Sequence, residues 1–247
     1  MPGTGRRLVD AVACLASLDV ALWKQQGCLS SREHFVEDAD GPGYHSPEDY
    51  AQAVVHSLRE LNRAMPKGIR RRRQIHNLFD QYQAVAVSNP LQVLSEYDDD
   101  FVVILDRREL TSAQFRELVN TCQARTVAIV PVRSLQEVPR RYLRQVGHRH
   151  LQSMSLAMGS PDTRGLTPRL LSYAEALGAE GVTSIRTVGR GAFPQLAYSW
   201  DGLLPMDLIA QRQQGHFTAI EFDDPWSEIY ETYGLIQHAI KAGMPEP

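Results

Sequence analysis

Cysteine is scarce in this chain: Cys14, Cys28 and Cys122 are the only three in 247 residues, and no two stand at CxxC spacing. That excludes a disulfide framework and a cysteine-rich zinc site, and it points to a reducing, cytoplasmic setting. Long apolar runs are missing too. No window approaches the roughly 18 to 20 apolar residues of a membrane span. The stretch Val12 to Leu18, with Arg6 and Arg7 ahead of it, is too short for an export signal and is bracketed by Asp10 and Asp19. Neither sign of charge dominates, with 26 basic and 29 acidic residues and a net charge of −3. Such a balance provides no general field for nucleic acid. Lysine occurs three times, and the one dense basic run is Lys67 with Arg70 to Arg73. A glycine-rich GxGxxG turn of the dinucleotide-binding kind is also absent.

What is present is an ordinary globular composition, 43% hydrophobic, long enough to bury a substantial core. Leu8, Val12, Leu15, Leu18 and Leu22 recur at spacings of four and three, which predicts a helix to about Trp23. Glu33 to Val36 reads as a short strand. Ser46 and Pro47 open a helix as N-cap and first residue, with Tyr50, Val54, Leu58 and Leu61 as its buried stripe. A third helix is expected over 71–82. Beyond it, β-rich runs at 101–105, 126–130, 151–158 and 184–188 alternate with helical stretches at 112–121, 135–146 and 168–177. The helix at 168–177 carries Thr167 as N-cap, Pro168 at its first position and Gly178 just past its end. Alternation of this kind means an α/β fold. The whole of 1–247 reads as one domain, with a tail from about 200 holding short helices near 206–213 and 226–241.

Cys28 is the leading chemical candidate. It follows Gly27, which lets the backbone bend close to a ligand, and it sits between a helix and a strand. A thiol is intrinsically very nucleophilic, so a modest lowering of its pKa makes it an effective acyl acceptor. The opposing reading is that a lone cysteine is a small buried hydrophobe. His34, six residues on, is a candidate base if the strand turns it inward, against a surface strand histidine. His148 and His150 alternate as a strand pair does, yet no third ligand follows at metal spacing, so no metal site is expected. Arg70 to Arg73 would circle a helix, which favours a solvated face over a phosphate site. Trp200, Asp201 and Gly202 read as a structural turn.

The stretch Asp19 to Arg32, reading DVALWKQQGCLSSR, with Phe35, Val36 and Glu37 after it, resembles the nucleophile region of the LuxC-type fatty acyl-CoA reductases of bacterial bioluminescence. That family lies in the aldehyde dehydrogenase superfamily. Val130 to Leu135, His150 to Met154, Gly181 to Arg190 and Trp200 to Gly202 resemble later segments of the family in the same order, so the likeness covers most of 19–211. It implies an aldehyde dehydrogenase-like catalytic domain with its nucleophile segment at 19–37. Cys28 would attack an acyl thioester from CoA or a carrier protein, and hydride from NADPH would reduce the acyl-cysteine to an aldehyde. The Cys28 backbone N–H is the implied donor to the tetrahedral oxyanion.

Two features depart from the family. Only 27 residues precede Cys28, where relatives carry a nucleotide-binding domain and a second oxyanion amide, so the chain is expected to lack that domain and to need a nucleotide-binding partner for NADP. Asn120 to Arg125 also lacks the glutamate with which many superfamily members hold the nicotinamide ribose. Three readings follow: a fragment or split subunit of the reductase; a cysteine acyltransferase or thioesterase working without hydride; and a non-catalytic interaction module with a relic cysteine. The superfamily resemblance also implies a homo-oligomer.

Overall fold

The structure, a computed structural model, describes residues 4–25, 30–38, 45–64, 72–146, 152–157, 168–191, 218–221 and 225–243. Helix α1 (Thr4–Ala21) ends in a 3-10 turn (Leu22–Gln25), and strand β1 (Glu33–Glu37) follows. Two helices come next, α2 (Pro47–Ala64) and α3 (Arg72–Ala86), then β2 (Leu91–Val93), β3 (Val102–Asp106), α4 (Ser112–Thr121) and β4 (Thr126–Val132). The second part holds β5 (Ser153–Leu156), α5 (Pro168–Ala179), β6 (Ser184–Thr187), β7 (Ala219–Glu221) and α6 (Pro225–Gly243). The α/β architecture expected from the alternation is what the chain adopts.

The first sheet has the order β1-β4-β3-β2, parallel except for β2 at its edge. The second sheet, β5-β6-β7, is wholly parallel. Parallel strands are covered on both faces, and the alternation of side chains shows how. Val103, Leu105, Val127 and Ile129 point to one side, where Leu18, Val54, Leu58 and Leu61 of α1 and α2 close over them. Val102, Ile104, Ala128 and Val130 point to the other, into a cluster with Leu78, Phe115, Leu118 and Tyr142 that continues to Leu177 and Ile185 beside the second sheet. Burying one such Leu or Ile side chain contributes roughly 1.5 to 3 kcal/mol.

Local chemistry sets the element ends. Ser46 Oγ accepts from Asp49 N at 3.1 Å, and the Asp49 carboxylate accepts from Ser46 N at 3.4 Å, so α2 starts where the sequence placed it. Thr111 and Gln114 form the same reciprocal cap on α4. Two expectations are corrected. The stretch 135–146 is a 3-10 turn (Leu135–Glu137), a π turn (Pro139–Leu143) and a last helical turn (Arg144–Val146) rather than one helix, because Pro139 in its middle has no N–H to donate. Gly178 is inside α5 instead of beyond it, and Gly181, at φ +101°, takes the left-handed position that ends the helix. Gly178 is needed for space, since a Cβ there would come within 2.5 Å of Thr218 Oγ1. The expected Thr167 cap and the helix near 206–213 lie outside the described residues.

Candidate functional site

Gly27 and Cys28 lie outside the described residues, and the structure instead defines both flanks of the segment 26–29. On the N-terminal side the 3-10 turn ends at Gln25, a buried residue in the left-handed region at φ +54°. Its side-chain Nε2 donates to the carbonyls of Ser31 and Thr126, each at 2.8 Å, and its Oε1 accepts from Thr126 N at 2.9 Å. The amide therefore docks on the first residue of β4 much as a neighbouring strand does. Just before Thr126, Ala124 and Arg125 are left-handed as well, at φ +55° and +64°. For non-glycine residues each such conformation costs of order 1–3 kcal/mol. Arg125 is buried and donates through Nη1 to Asn62 Oδ1 of α2.

On the C-terminal side Ser31 N donates to the Asp19 carbonyl at 3.3 Å, and Ala128 N donates to the Arg32 carbonyl at 3.0 Å, which starts the pairing of β1 with β4. His34 points inward. One ring nitrogen bonds the Tyr50 hydroxyl at 2.9 Å and the other bonds Ser31 Oγ at 3.1 Å, so both are engaged whichever carries the hydrogen. Burial lowers the His34 pKa to about 4, so the imidazole is neutral around pH 7. The Tyr50 phenol is pushed above its ordinary range by burial and then by the Asp19 carboxylate. That carboxylate is itself buried; its Oδ2 accepts from Gly189 N at 2.9 Å and from Ser155 Oγ at 3.1 Å, tying the end of α1 to the second sheet. Gly189 sits at φ +87°, and a Cβ there would meet Leu15 Cβ at 2.8 Å.

Glu33 occupies the opposite face of β1. Burial raises its pKa to about 7 in spite of the neighbouring Arg32, and its Oε1 has no hydrogen-bond partner among the described residues. The other two thiols are poor nucleophiles. Burial pushes Cys14 up to about 11, with Gln237 Nε2 donating to its Sγ at 3.7 Å, and raises Cys122 well above the ordinary thiol value. In the stretch 120–125, Gln123 Nε2 donates to the Asn120 carbonyl at 2.9 Å, and no carboxylate is available there to hold a ribose. These residues do not fit a nicotinamide site, and none of them is assigned to the cofactor.

Of the remaining candidates, Arg72 and Arg73 are exposed, and Arg72 lies 3.6 Å from Asp100. Arg70, Arg71, His148, His150 and Trp200 to Gly202 lie outside the described residues, among which no group of three His, Cys, Asp or Glu side chains could hold a metal ion. A cavity of about 640 Å³ opens between α1, α2 and α6, lined by Asp10, Cys14, His56, Glu60 and Tyr233, and no flank residue of the Cys28 segment borders it. Among the described residues no helix is long and apolar enough to cross a membrane. Sequence reading did not single out Asp19, Gln25 and Tyr50, whose bonds hold the flanks of the Cys28 segment and the neighbouring strand. Asp19 and Gln25 fall inside the stretch of resemblance, but their partners are far along the chain and carry no local signal.

A family model described as Acyl-CoA reductase (LuxC) matches residues 6–212. Among solved structures, a NAD-dependent aldehyde dehydrogenase from Burkholderia multivorans is similar with a TM-score of 0.49 and 16% sequence identity, covering 78% of this chain and 35% of that one. Nothing among the curated proteins matches.

Proposed function

The chain belongs to the LuxC family of acyl-CoA reductases, and from that premise we propose that it is the acyl-accepting part of an enzyme that reduces a fatty acyl thioester to an aldehyde, with Cys28 as nucleophile. The observation that carries the reading is the family match over 6–212, which runs through the Cys28 segment. The structure supports it by holding both flanks of that segment on β4.

In the proposed step the Cys28 thiolate attacks the thioester carbonyl carbon. A tetrahedral oxyanion forms and takes a hydrogen bond from the Cys28 backbone N–H, a donor of a kind whose loss costs roughly 10²- to 10³-fold in rate. The bond from carbon to the donor sulfur then breaks, the donor thiolate leaves and takes up a proton, and an acyl-cysteine remains. A nicotinamide cofactor, NADPH by the family likeness, would when bound supply the hydride equivalent that aldehyde formation needs, and no described residue is assigned to hold it. Its binding is assigned to a nucleotide-binding domain or partner subunit, since residues 120–125 carry no carboxylate to hold the ribose. His34 serves as an orienting group, because a neutral imidazole with a pKa of about 4 takes up protons poorly near pH 7. A reduced Cys28 suits a cytoplasmic setting, and the family likeness implies a homo-oligomer.

Intact-mass analysis after incubation with acyl-CoA donors of several chain lengths tests this, with Cys28→Ala alongside. The expected result is one acyl group on the native chain and none on the variant, with Cys14 and Cys122 dispensable. Acylation that survives in Cys28→Ala would remove the mechanism. Steady release of free acid without NADPH would reassign the chain as a thioesterase.

A further inference from the structure

We propose that Gln25 is a positioning residue for Cys28, its side-chain amide joining residues on the two sides of the segment 26–29, Gln25 and Ser31, to each other and to the start of β4. The inference rests on the acyl-acceptor reading of Cys28.

Gln25 uses two donors and one acceptor, and all three bonds go to backbone atoms: the Ser31 carbonyl on the far side of the segment, and the carbonyl and N–H of Thr126 at the start of β4. One side chain thereby joins the two flanks to each other and to a central strand. Ser31 is held by the rest of its polar groups as well, through N to the Asp19 carbonyl and through Oγ to His34. A second observation is independent of these bonds. The non-glycine residues with left-handed φ among the described residues are Gln25, Ala124 and Arg125, and they meet at this one junction. Backbone held against its preference collects where the surrounding structure over-determines a functional geometry. A glutamine is the right group here: Asn is one methylene short, Glu has no donor when ionised, and Met fills the volume without bonding.

The requirement is geometric. A thiol must approach a thioester carbonyl along a defined path, and misplacement by about 1 Å costs roughly 10²-fold. Gln25 touches no substrate in this scheme; it acts through the segment it frames.

The test compares the native chain with Gln25→Met, which keeps the volume, and Gln25→Glu, which keeps the shape. Three quantities are read: amide hydrogen exchange over 26–31, alkylation of Cys28 by iodoacetamide, and the rate of Cys28 acylation by a saturating fatty acyl-CoA. The expected result for Gln25→Met is faster exchange over 26–31 with β3 unchanged. Alkylation should depart from native by more than about threefold, and the maximal acylation rate should fall about 10²-fold, while half-saturation by acyl-CoA changes much less. Gln25→Glu adds a signature that a general loss of stability does not produce. Its ionised carboxylate faces two carbonyls, and protonation restores one donor, so its acylation rate relative to native should rise as the pH falls. Asp19, His34 and Tyr50 are common to all three proteins and cancel in that ratio. Exchange, alkylation and acylation within about threefold of native in Gln25→Met overturn the proposal. Should the native chain take up no acyl group, the Cys28 reading fails, and exchange and alkylation alone decide the role of Gln25.

Discussion

The face of β1 that packs on α1 and α2 keeps its polar groups paired, whereas the opposite face pairs Glu37 with Arg169 and Leu135 N but leaves one oxygen of Glu33 without a partner among the described residues. His34 is bonded at both ring nitrogens, with Tyr50 and Ser31, and the Asp19 carboxylate nearby accepts from Gly189 and Ser155. One residue earlier on the same strand, Glu33 is half-buried with an oxygen that has no partner among the described residues, near the fully buried Cys122. Phe35, Phe115 and Tyr142, with ring centroids 5.1 to 6.0 Å apart, form the apolar surroundings on that side. Burial disfavours charge on both faces, so the histidine pKa falls and the carboxyl pKa rises. The lesson is that paired groups such as His34 fix positions, whereas the Glu33 carboxyl, with one oxygen lacking a partner among the described residues, is biased by burial toward its protonated form.

The largest break in this contrast is expected from Asp19→Ala. Removing the carboxylate strands the Gly189 N–H and the Ser155 hydroxyl in a buried place, at a cost of about 3 kcal/mol or more, read as a lower midpoint in urea. On the other face the sign reverses. Glu33→Gln should stabilise the protein by about 2 kcal/mol at pH 8, because it removes a carboxyl that ionises only at a cost when buried.

The same variant sharpens the comparison through pH. Glu33 titrates near 4.5 unfolded and about 7 folded, so the folded state holds the extra proton and stability falls as the pH rises between those values. His34 titrates near 6.5 unfolded and about 4 folded, so the unfolded state holds the extra proton and stability rises with pH over that window. From about pH 4.5 to 6.5 the two slopes oppose and nearly cancel. Urea melts of Glu33→Gln over this range should show the rising slope alone; an unchanged profile would mean that Glu33 is solvated. The smallest effect is assigned to Tyr50→Phe, about 1 kcal/mol from one lost hydrogen bond to His34 in an otherwise preserved core, measured by thermal or urea melting.

Much of the architecture was legible in the sequence because local chemistry dictates it. Helix α4 runs over Ser112–Thr121 as expected, its start fixed by the reciprocal Thr111–Gln114 cap, and α2 begins at Pro47 under Ser46. Strands β2 and β7, with three residues each, are too short for any period to declare them. The interrupted stretch 135–146 shows Pro139 overriding helical periodicity. At the site, the family likeness marks Cys28, and His34 takes the inward turn that strand alternation allows. The partners of Gln25 were hidden for a different reason. They are backbone atoms, which leave no imprint in side-chain pattern, and the left-handed positions at Ala124 and Arg125 carry neither glycine nor asparagine to signal them.

The bond from Gln25 to Thr126 joins residues 101 apart, and this separation has a kinetic side. Contacts so distant in the chain form late, after the cost of closing the intervening loop has been met. On a ribosome adding roughly 5 to 20 residues per second, roughly 5 to 20 seconds pass between the making of Gln25 and of Thr126. During that interval β1 has no parallel neighbour and the thiol has no frame. Each newly made chain thus carries Cys28 before the strand to which Gln25 bonds exists, and Gln25 is tied to that strand only once β4 has been made.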